Sequence, residues 1–349
     1  MRRKKVTDLK SLTFPELEQF VISIGFRKYR ALQISQWIYK KLARTFDEMS
    51  NISKEGREKL KKKVKIYNLN LLKKELSRDG TAKYLFELED GNRIESVFIP
   101  EKDRNTICVS TQVGCSVGCS FCLTGKSGFS RNLTTSEIVD QYITVQRDVG
   151  IENRISNVVF MGMGEPLLNF ENVKKGIEIL TDNRMLGLST RKITVSTSGI
   201  IPGIKQMAKE LPKIKLALSL HATTDETREK LIPLNKKYPI KSVMKELKNY
   251  PADNMRRIMI EYLIIEGIND SVEDAERLIK LIKNIPVKVN IIPFNEYPKS
   301  LFKRPSKEKI ETFQKVLWDA GIATFVRDSR GQEISAACGM LQAKEKQTV

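Results

Sequence analysis

No run of 18 apolar residues occurs in this 349-residue chain, so no segment is built to cross a membrane as a helix. The basic start, Met1-Arg-Arg-Lys-Lys5, has no apolar stretch behind it and does not read as a signal peptide. Both absences set the expectation of a cytoplasmic protein. Histidine is nearly missing, with His221 the single one in the chain. Acidic residues fall short of basic ones, 42 against 61, leaving a formal net charge of +19. Such an excess attracts polyanions and speeds encounter with them. Joined to an enzymatic motif, it points to an RNA or DNA substrate over a small metabolite. Basic side chains run along the whole chain, with denser patches at Arg2–Lys5 and Lys59–Lys65. The five cysteines are odd in number and mostly clustered, which suits a reducing compartment.

That clustering is the informative property. Cys115, Cys119 and Cys122 form a CxxxCxxC run, a ligand set and not a disulfide framework. One reading is zinc with His221 as fourth ligand, but zinc motifs usually pair two short knuckles and no second knuckle exists. The other reading is a four-iron cluster. Such clusters ordinarily take four cysteines, so a loop supplying three leaves one iron open to a small molecule. Catalytic metal sites keep a vacant position in the same way. The cluster is favoured. The loop resembles the signature of the radical S-adenosylmethionine (SAM) enzymes. That resemblance implies one 4Fe–4S cluster whose open iron is chelated by the amino and carboxylate groups of SAM. It also implies cleavage of SAM to a 5′-deoxyadenosyl radical.

The length suits a barrel of about 250 residues plus an accessory unit. Residues 1–66 read as a small helical domain. Thr13-Phe-Pro-Glu16 is a capping box ahead of Leu17–Ile24, Phe26–Lys41 carries apolar residues at helical spacing, and Ser53–Lys63 suits a short basic helix. This unit is too small for an active site of its own and is expected to dock substrate. Residues 67–104 read as a β-hairpin linker turning at Asp90-Gly91. Glu95 shares a strand face there with Val97 and Ile99, and position alone reads it as an edge-strand charge.

Residues 105–342 alternate strands and helices. Strand-like runs fall at Thr106–Ser110, Ile155–Phe160, Lys192–Thr197, Ile214–Leu220, Arg257–Ile264, Val287–Ile292 and Ala323–Arg327. Between them lie helical runs, one opening on the capping box Thr134-Thr-Ser-Glu137 and one spanning Ser271–Asn284. The alternation implies parallel strands with right-handed crossovers. The expected fold class is α/β: a partial (β/α)6-type radical SAM barrel with extra strands, preceded by the hairpin and the helical domain. Residues 343–349 read as a tail.

Chemistry in such barrels sits at the C-terminal strand ends. Here those ends lead into the cysteine loop, Gly162-Met-Gly-Glu-Pro166, Ser196-Thr-Ser-Gly199, Ser219-Leu-His221, Pro293-Phe-Asn295 and finally Ala336-Ala-Cys338-Gly339. Small and polar residues at every end describe one mouth lined for a polar ligand. Pro166 follows Glu165 at once, so no phosphate-binding helix starts there. Gly-Met-Gly-Glu-Pro is either a tight turn or, beside the cluster loop, a seat for the amino acid part of SAM. His221 reads as a pocket liner and not as a base. Cys108 and Cys338 are left over, 230 residues apart yet placed by a barrel near the same mouth. Leftover cysteines are commonly inert, but these two would face the radical source.

With these segments together, from about Tyr84 to Leu341, the chain resembles the RlmN/Cfr family of radical SAM RNA methyltransferases, and more weakly so over its N-terminal helices. The specific matches are Ile107–Cys115, Gly128–Leu133, Phe160–Asn169, Arg191–Gly199, Leu218–Ala222 and Ala336–Gly339. The resemblance implies a ping-pong reaction at adenine using two SAM molecules per turnover. Cys338 carries a methyl group, Glu95 takes the proton from carbon 2, and Cys108 resolves the product by a transient Cys108–Cys338 disulfide. Raised basicity for Glu95 is expected from an apolar strand face. SAM contacts are implied for Gly164, Glu165, Ser196, Ser219, Leu220, His221 and Asn295. Implied substrates are large-subunit (23S) ribosomal RNA at the peptidyl-transferase centre and tRNA next to the anticodon, with a flavodoxin- or ferredoxin-type electron donor and a monomeric enzyme. Glu165-Pro-Leu-Leu168 and Gln332-Glu333 favour the carbon-2 branch over the Cfr-like carbon-8 branch.

Overall fold

The computed structural model describes residues 7–343 apart from 254, 299 and 328. The Arg2–Lys5 patch lies outside the described residues, as does the 343–349 tail beyond Ala343. One ten-stranded sheet forms the frame. In chain order its strands are β1 (Asn70–Leu76), β2 (Ala82–Glu87), β3 (Arg93–Glu101), β4 (Arg104–Cys108), β5 (Asn157–Phe160), β6 (Ile193–Thr197), β7 (Lys215–Ser219), β8 (Ile258–Ile264), β9 (Val287–Pro293) and β10 (Thr324–Val326). From β4 to β10 every neighbouring pair is parallel, in chain order. Seven strands thus form the open barrel, one beyond the six of the expected core.

β1 to β4 pair antiparallel and continue that same sheet. The stretch before residue 105 is therefore three strands fused to the barrel edge, where the sequence suggested a two-stranded linker. β1 escapes pattern reading because it is an almost wholly exposed edge strand with Lys73, Lys74 and Glu75 in its middle. Charges on an edge strand blunt pairing with other chains. The inner strands β7 and β8 are buried on both faces and accordingly read as near-continuous apolar runs.

Helices cover the barrel. The first crossover, α4 (Thr135–Val149), starts where Thr134 accepts from the Glu137 amide while Glu137 reaches back to the Thr134 amide at 2.8 Å. N-terminal to the sheet, α1 (Phe14–Ser23), α2 (Arg30–Ser35) and α3 (Lys54–Lys63) form the accessory unit. α1 opens on the Thr13/Glu16 capping box and Ser53 caps α3. One apolar core runs through both parts, from Leu9 and Leu17 to Leu317. The seam also holds a fully buried ion pair, Lys10 with Asp140 of α4. The Tyr67 carbonyl accepts from Lys10, and the Leu69 amide donates to Asp140. Among the described residues, no helix is long and apolar enough to cross a membrane.

Candidate active site

A two-stranded ribbon, Gln112–Gly114 paired with Phe129–Asn132, brackets the cysteine loop. Gly114 is compelled: at φ +73°, a Cβ would stand 1.9 Å from the Gly128 carbonyl oxygen. The loop then winds on its own backbone, with the Cys115 amide donating to Gly128 and the Cys122 amide to Cys119. Its apolar side sits on a separate small core of Val117, Leu231, Ile232, Leu263, Ile292 and Phe294. That seat fixes the loop at the C-terminal edge of the strands.

Cys115, Cys119 and Cys122 line one cavity. Burial lifts the Cys115 thiol to about 12 and pushes Cys119 and Cys122 up as well; Cys122 adds to the first two and Cys338 to Cys122. Thiols in this condition become thiolates when a bound cation offsets the burial. Three thiols converging on one open cavity are the donor set that would hold a four-iron cluster and leave one iron open. His221, the remaining zinc candidate, accepts the Leu263 amide on Nδ1 at 3.0 Å and sets its ring edge-on to Phe121.

The strand ends complete the mouth. Gly164, Glu165, Ser196, Ser219 and His221 all line the same cavity. Gly164, at φ +102°, lies so close to Gln112 that a Cβ would meet its Cβ at 2.5 Å. Glu165 is buried, and its carboxylate accepts from the Ser198 amide at 2.8 Å, the Ser198 hydroxyl at 2.7 Å and the Leu167 amide at 3.1 Å. It therefore ties the end of β5 to the end of β6, with lone pairs left for a ligand. The Ser196 and Ser219 hydroxyls meet at 3.3 Å. Leu220 and Asn295 sit differently from the rest. The Leu220 side chain is in the core and its amide donates to Glu261. Asn295 is buried behind the mouth, where it donates to the Cys338 carbonyl at 3.5 Å and accepts from Gln332 at 3.1 Å.

Cys108, at the end of β4, and Cys338 line this cavity too. The segment bearing Cys338 is strapped over the cysteine loop: the Leu123 amide donates to Gly339 at 2.8 Å, and the Thr124 hydroxyl to Leu341 at 2.6 Å. Cys338 is exposed, while Cys108 is buried. Burial first, then the neighbouring Cys338, lifts the Cys108 thiol to about 12. Glu95 does not line the cavity; it lies two residues before Val97, which does, on the same face of β3 and about 7 Å along the strand. Its carboxylate does not meet the apolar face expected for it. Lys83 stands 3.4 Å from Oε1, and the amides of Gln342 and Ala343 donate to Oε2 at 2.8 and 3.1 Å. The C-terminal segment folds back over this strand, a contact that local pattern reading could not anticipate.

Three residues escaped the sequence reading. Glu261 lines the cavity from β8, buried, with Oε1 accepting from Asn290 and Oε2 without a partner. Burial raises its carboxyl above the usual range. A lone acid inside the apolar run Ile258–Ile264 was the signal available for it. Arg327 follows β10 and lines the cavity within electrostatic reach of Cys338, Glu261 and Cys108. Arg228, fully buried, donates to the carbonyls of Leu220, Ser198 and Ser219 and to Asn235, clamping the ends of β6 and β7. Nothing in the local sequence marks it.

The open parallel barrel with a three-cysteine loop at its mouth defines a radical SAM protein, and a profile of the radical SAM superfamily matches residues 109–282. Residues 7–66 match the ribosomal RNA large subunit methyltransferase N-terminal domain. The chain is 49% identical over 338 residues to the dual-specificity RNA methyltransferase RlmN of Pelobacter propionicus, covering 97% of this chain and 96% of that one. It is 46% identical to the protein of that name from Geobacter sulfurreducens, covering 97% and 92%. The crystal structure of a radical SAM methyltransferase from Sphaerobacter thermophilus superposes with a TM-score of 0.93 at 42% identity, covering 97% of this chain and all of that one. The chain belongs to the RlmN family of dual-specificity RNA methyltransferases.

Proposed function

We propose that this protein methylates carbon 2 of adenine in large-subunit ribosomal RNA and in tRNA next to the anticodon. The observation that carries the reading is the sharing of one cavity by the three-cysteine loop and the two spare cysteines, Cys108 and Cys338. Carbon 2 lies between two ring nitrogens and is too electron-poor to attack a methyl donor as a nucleophile. The methyl group must therefore be carried by the protein and activated by hydrogen removal.

Cys115, Cys119 and Cys122 would hold a 4Fe–4S cluster, with Gly164, Glu165, Ser196, Ser219 and His221 around SAM. Leu220 contributes to that pocket through its backbone, and Asn295 by holding the Cys338 loop. When bound, cluster and SAM supply one-electron removal of a hydrogen atom. Cys338, exposed at the mouth, would attack the methyl group of a first SAM as its thiolate, the S–CH3 bond of SAM breaking to release S-adenosylhomocysteine, and then present the methyl group to the base. Burial keeps His221 neutral, with its basicity lowered to about 3, so it lines the pocket without exchanging protons near neutral pH. Glu95 receives the proton that leaves carbon 2. Two amides of the C-terminal segment hold Oε2 in place. The adduct would pass its unpaired electron to the bound redox centre; the Cys108 thiolate then attacks the Cys338 sulfur, the new S–S bond forms as the bond from that sulfur to the methylene carbon breaks, the electron pair of the broken bond takes up a proton to complete the methyl group, and the product leaves. Two electrons from a flavodoxin- or ferredoxin-type donor return the disulfide to thiols.

Reconstituted protein with SAM, a reductant and unmodified ribosomal RNA should yield 2-methyladenosine by nucleoside mass spectrometry. Formation of 8-methyladenosine alone would move the chain to the carbon-8 branch.

A further inference from the structure

A second cavity, of about 540 Å³, opens between the N-terminal helices and the barrel. This is within the size range of ligand pockets. Its walls carry Lys40, Lys41, Arg44, Arg147 and Arg154 against a single acid, Glu48. The hydrogen-bonding and ring partners of these cations are neutral. Arg147 donates to the Leu42 carbonyl at 2.7 Å, Lys40 to the Leu186 carbonyl at 3.3 Å, and Lys41 lies 3.7 Å over the Trp37 ring. Glu48 accepts from the amides of Arg44 and Thr45 as the cap of a short helical turn and keeps its charge within reach of Arg147. Tyr39 also lines the cavity; its buried hydroxyl has no partner among the described residues and lies within electrostatic reach of Asp8 and Asp140. Burial lowers Arg147, with Asp140 and Glu48 acting the other way and Arg44 adding to it, and burial lowers Lys40, with Arg154 adding to it and Asp182 acting the other way.

The cavity lies at the rim opposite the mouth. Arg154 stands three residues before β5 begins, and Val159 near the end of β5 pairs with Cys108. Four residues of strand, about 13 Å, separate the two rims.

We propose that this cavity binds a backbone phosphate of the RNA substrate, as an anchor remote from the reacting base. The proposal rests on the RNA reading above. Exposed cations in excess of acids at an accessible rim attract phosphate and position RNA without reading sequence. Lys41, Arg44 and Arg154 are exposed and free to meet a large ligand. An RNA that reaches both rims must be larger than the loop held at the mouth, which makes the site testable by substrate length.

The test compares wild-type protein with the Arg44→Gln/Arg154→Gln double variant on full-length unmodified tRNA and on its isolated anticodon stem-loop. On full-length tRNA the double variant should show KM raised about tenfold, unchanged kcat, and a log–log salt slope shallower by about one to two. On the stem-loop the two proteins should match, as they should in SAM cleavage without RNA. Equal losses on both RNAs, or an unchanged slope on tRNA, would overturn the site. Inorganic phosphate and pyrophosphate, titrated calorimetrically, form a separate arm. Tight binding that only the wild type shows, with tRNA affinity equal in the two proteins, would assign the cavity to a free anion instead. Wild-type protein that binds no RNA at low salt would overturn the RNA reading and this site with it.

Discussion

The Lys10–Asp140 pair between the N-terminal helices and the barrel is buried, as are the ionisable groups lining the mouth, but the pair and the mouth groups are treated in opposite ways. At the seam, Lys10 and Asp140 are paired with each other and further satisfied by the Tyr67 carbonyl and the Leu69 amide. At the mouth, the cavity is walled by thiols raised by burial, by Glu261 with an oxygen left over, and by His221 held neutral. A buried charge with every partner present is an element of structure. Buried groups left short of partners cost stability and persist where a ligand or a reaction completes them. The contrast separates what holds this protein together from what it works with.

The sharpest way to break that contrast is at the mouth. Cys338→Ala should abolish methylation, read by nucleoside mass spectrometry, while SAM cleavage by the reduced protein persists. Retained methyl transfer would remove the carrier role. With Cys108→Ala, resolution should fail after addition to the base. Protein covalently held on RNA should then accumulate as a band that survives denaturing electrophoresis, and normal turnover would rule out the disulfide step.

The seam should respond in stability. Lys10→Met leaves Asp140 buried and uncompensated, and the loss should be about 3–5 kcal/mol in urea unfolding. Restoring most of that stability with a second change, Asp140→Leu, would confirm that the pair and not the lysine stem is responsible. A loss well under 1 kcal/mol would mean that the seam does not depend on its ion pair.

The effect at His221, whose basicity burial lowers from 6.5 to about 3, is small near neutral pH and grows only in acid. Below pH 6.5 the unfolded chain takes up a proton that the folded chain refuses. The contribution of this residue is thus complete above 6.5 and drains away as pH falls towards 3. The slope is at most about 1.4 kcal/mol per pH unit. Comparing His221→Gln with wild type in urea titrations over this range should show a shallower acid decline in the variant. Parallel curves would mean that His221 titrates in the folded protein as it does in the unfolded chain.

Much of the frame was legible in the residues because its signals are local. The Thr13/Glu16 and Thr134/Glu137 capping boxes lie where the helices begin. Each of the seven strand-like runs after residue 105 overlaps a barrel strand to within a few residues. β1 was not legible, since an exposed edge strand has no apolar face to alternate. The same division holds in the site. Cys115, Cys119, Cys122, Gly164 and Glu165 stand out as motifs within short segments. Glu261, Arg327 and Arg228 do not, because each acts through residues far away in the chain.

Glu95 is the instructive case. Its strand and face follow from alternation, whereas its surroundings do not. Lys83 comes from the adjacent strand and the two amides from residues almost 250 positions later. An apolar setting was a fair inference from β3 alone and was wrong for the folded chain.

The sequence by itself determined the ligand loop, the alternation that makes a parallel barrel, and the helix starts, because each depends on residues within a few turns or one strand. Tertiary structure alone decided that Cys108 and Cys338 share a cavity, that the C-terminal segment covers Glu95, and that five cations gather at the opposite rim. Those outcomes depend on how the sheet curves and on which segments pack across it. Contacts between distant positions are settled by the packing of the whole core, which no local pattern encodes.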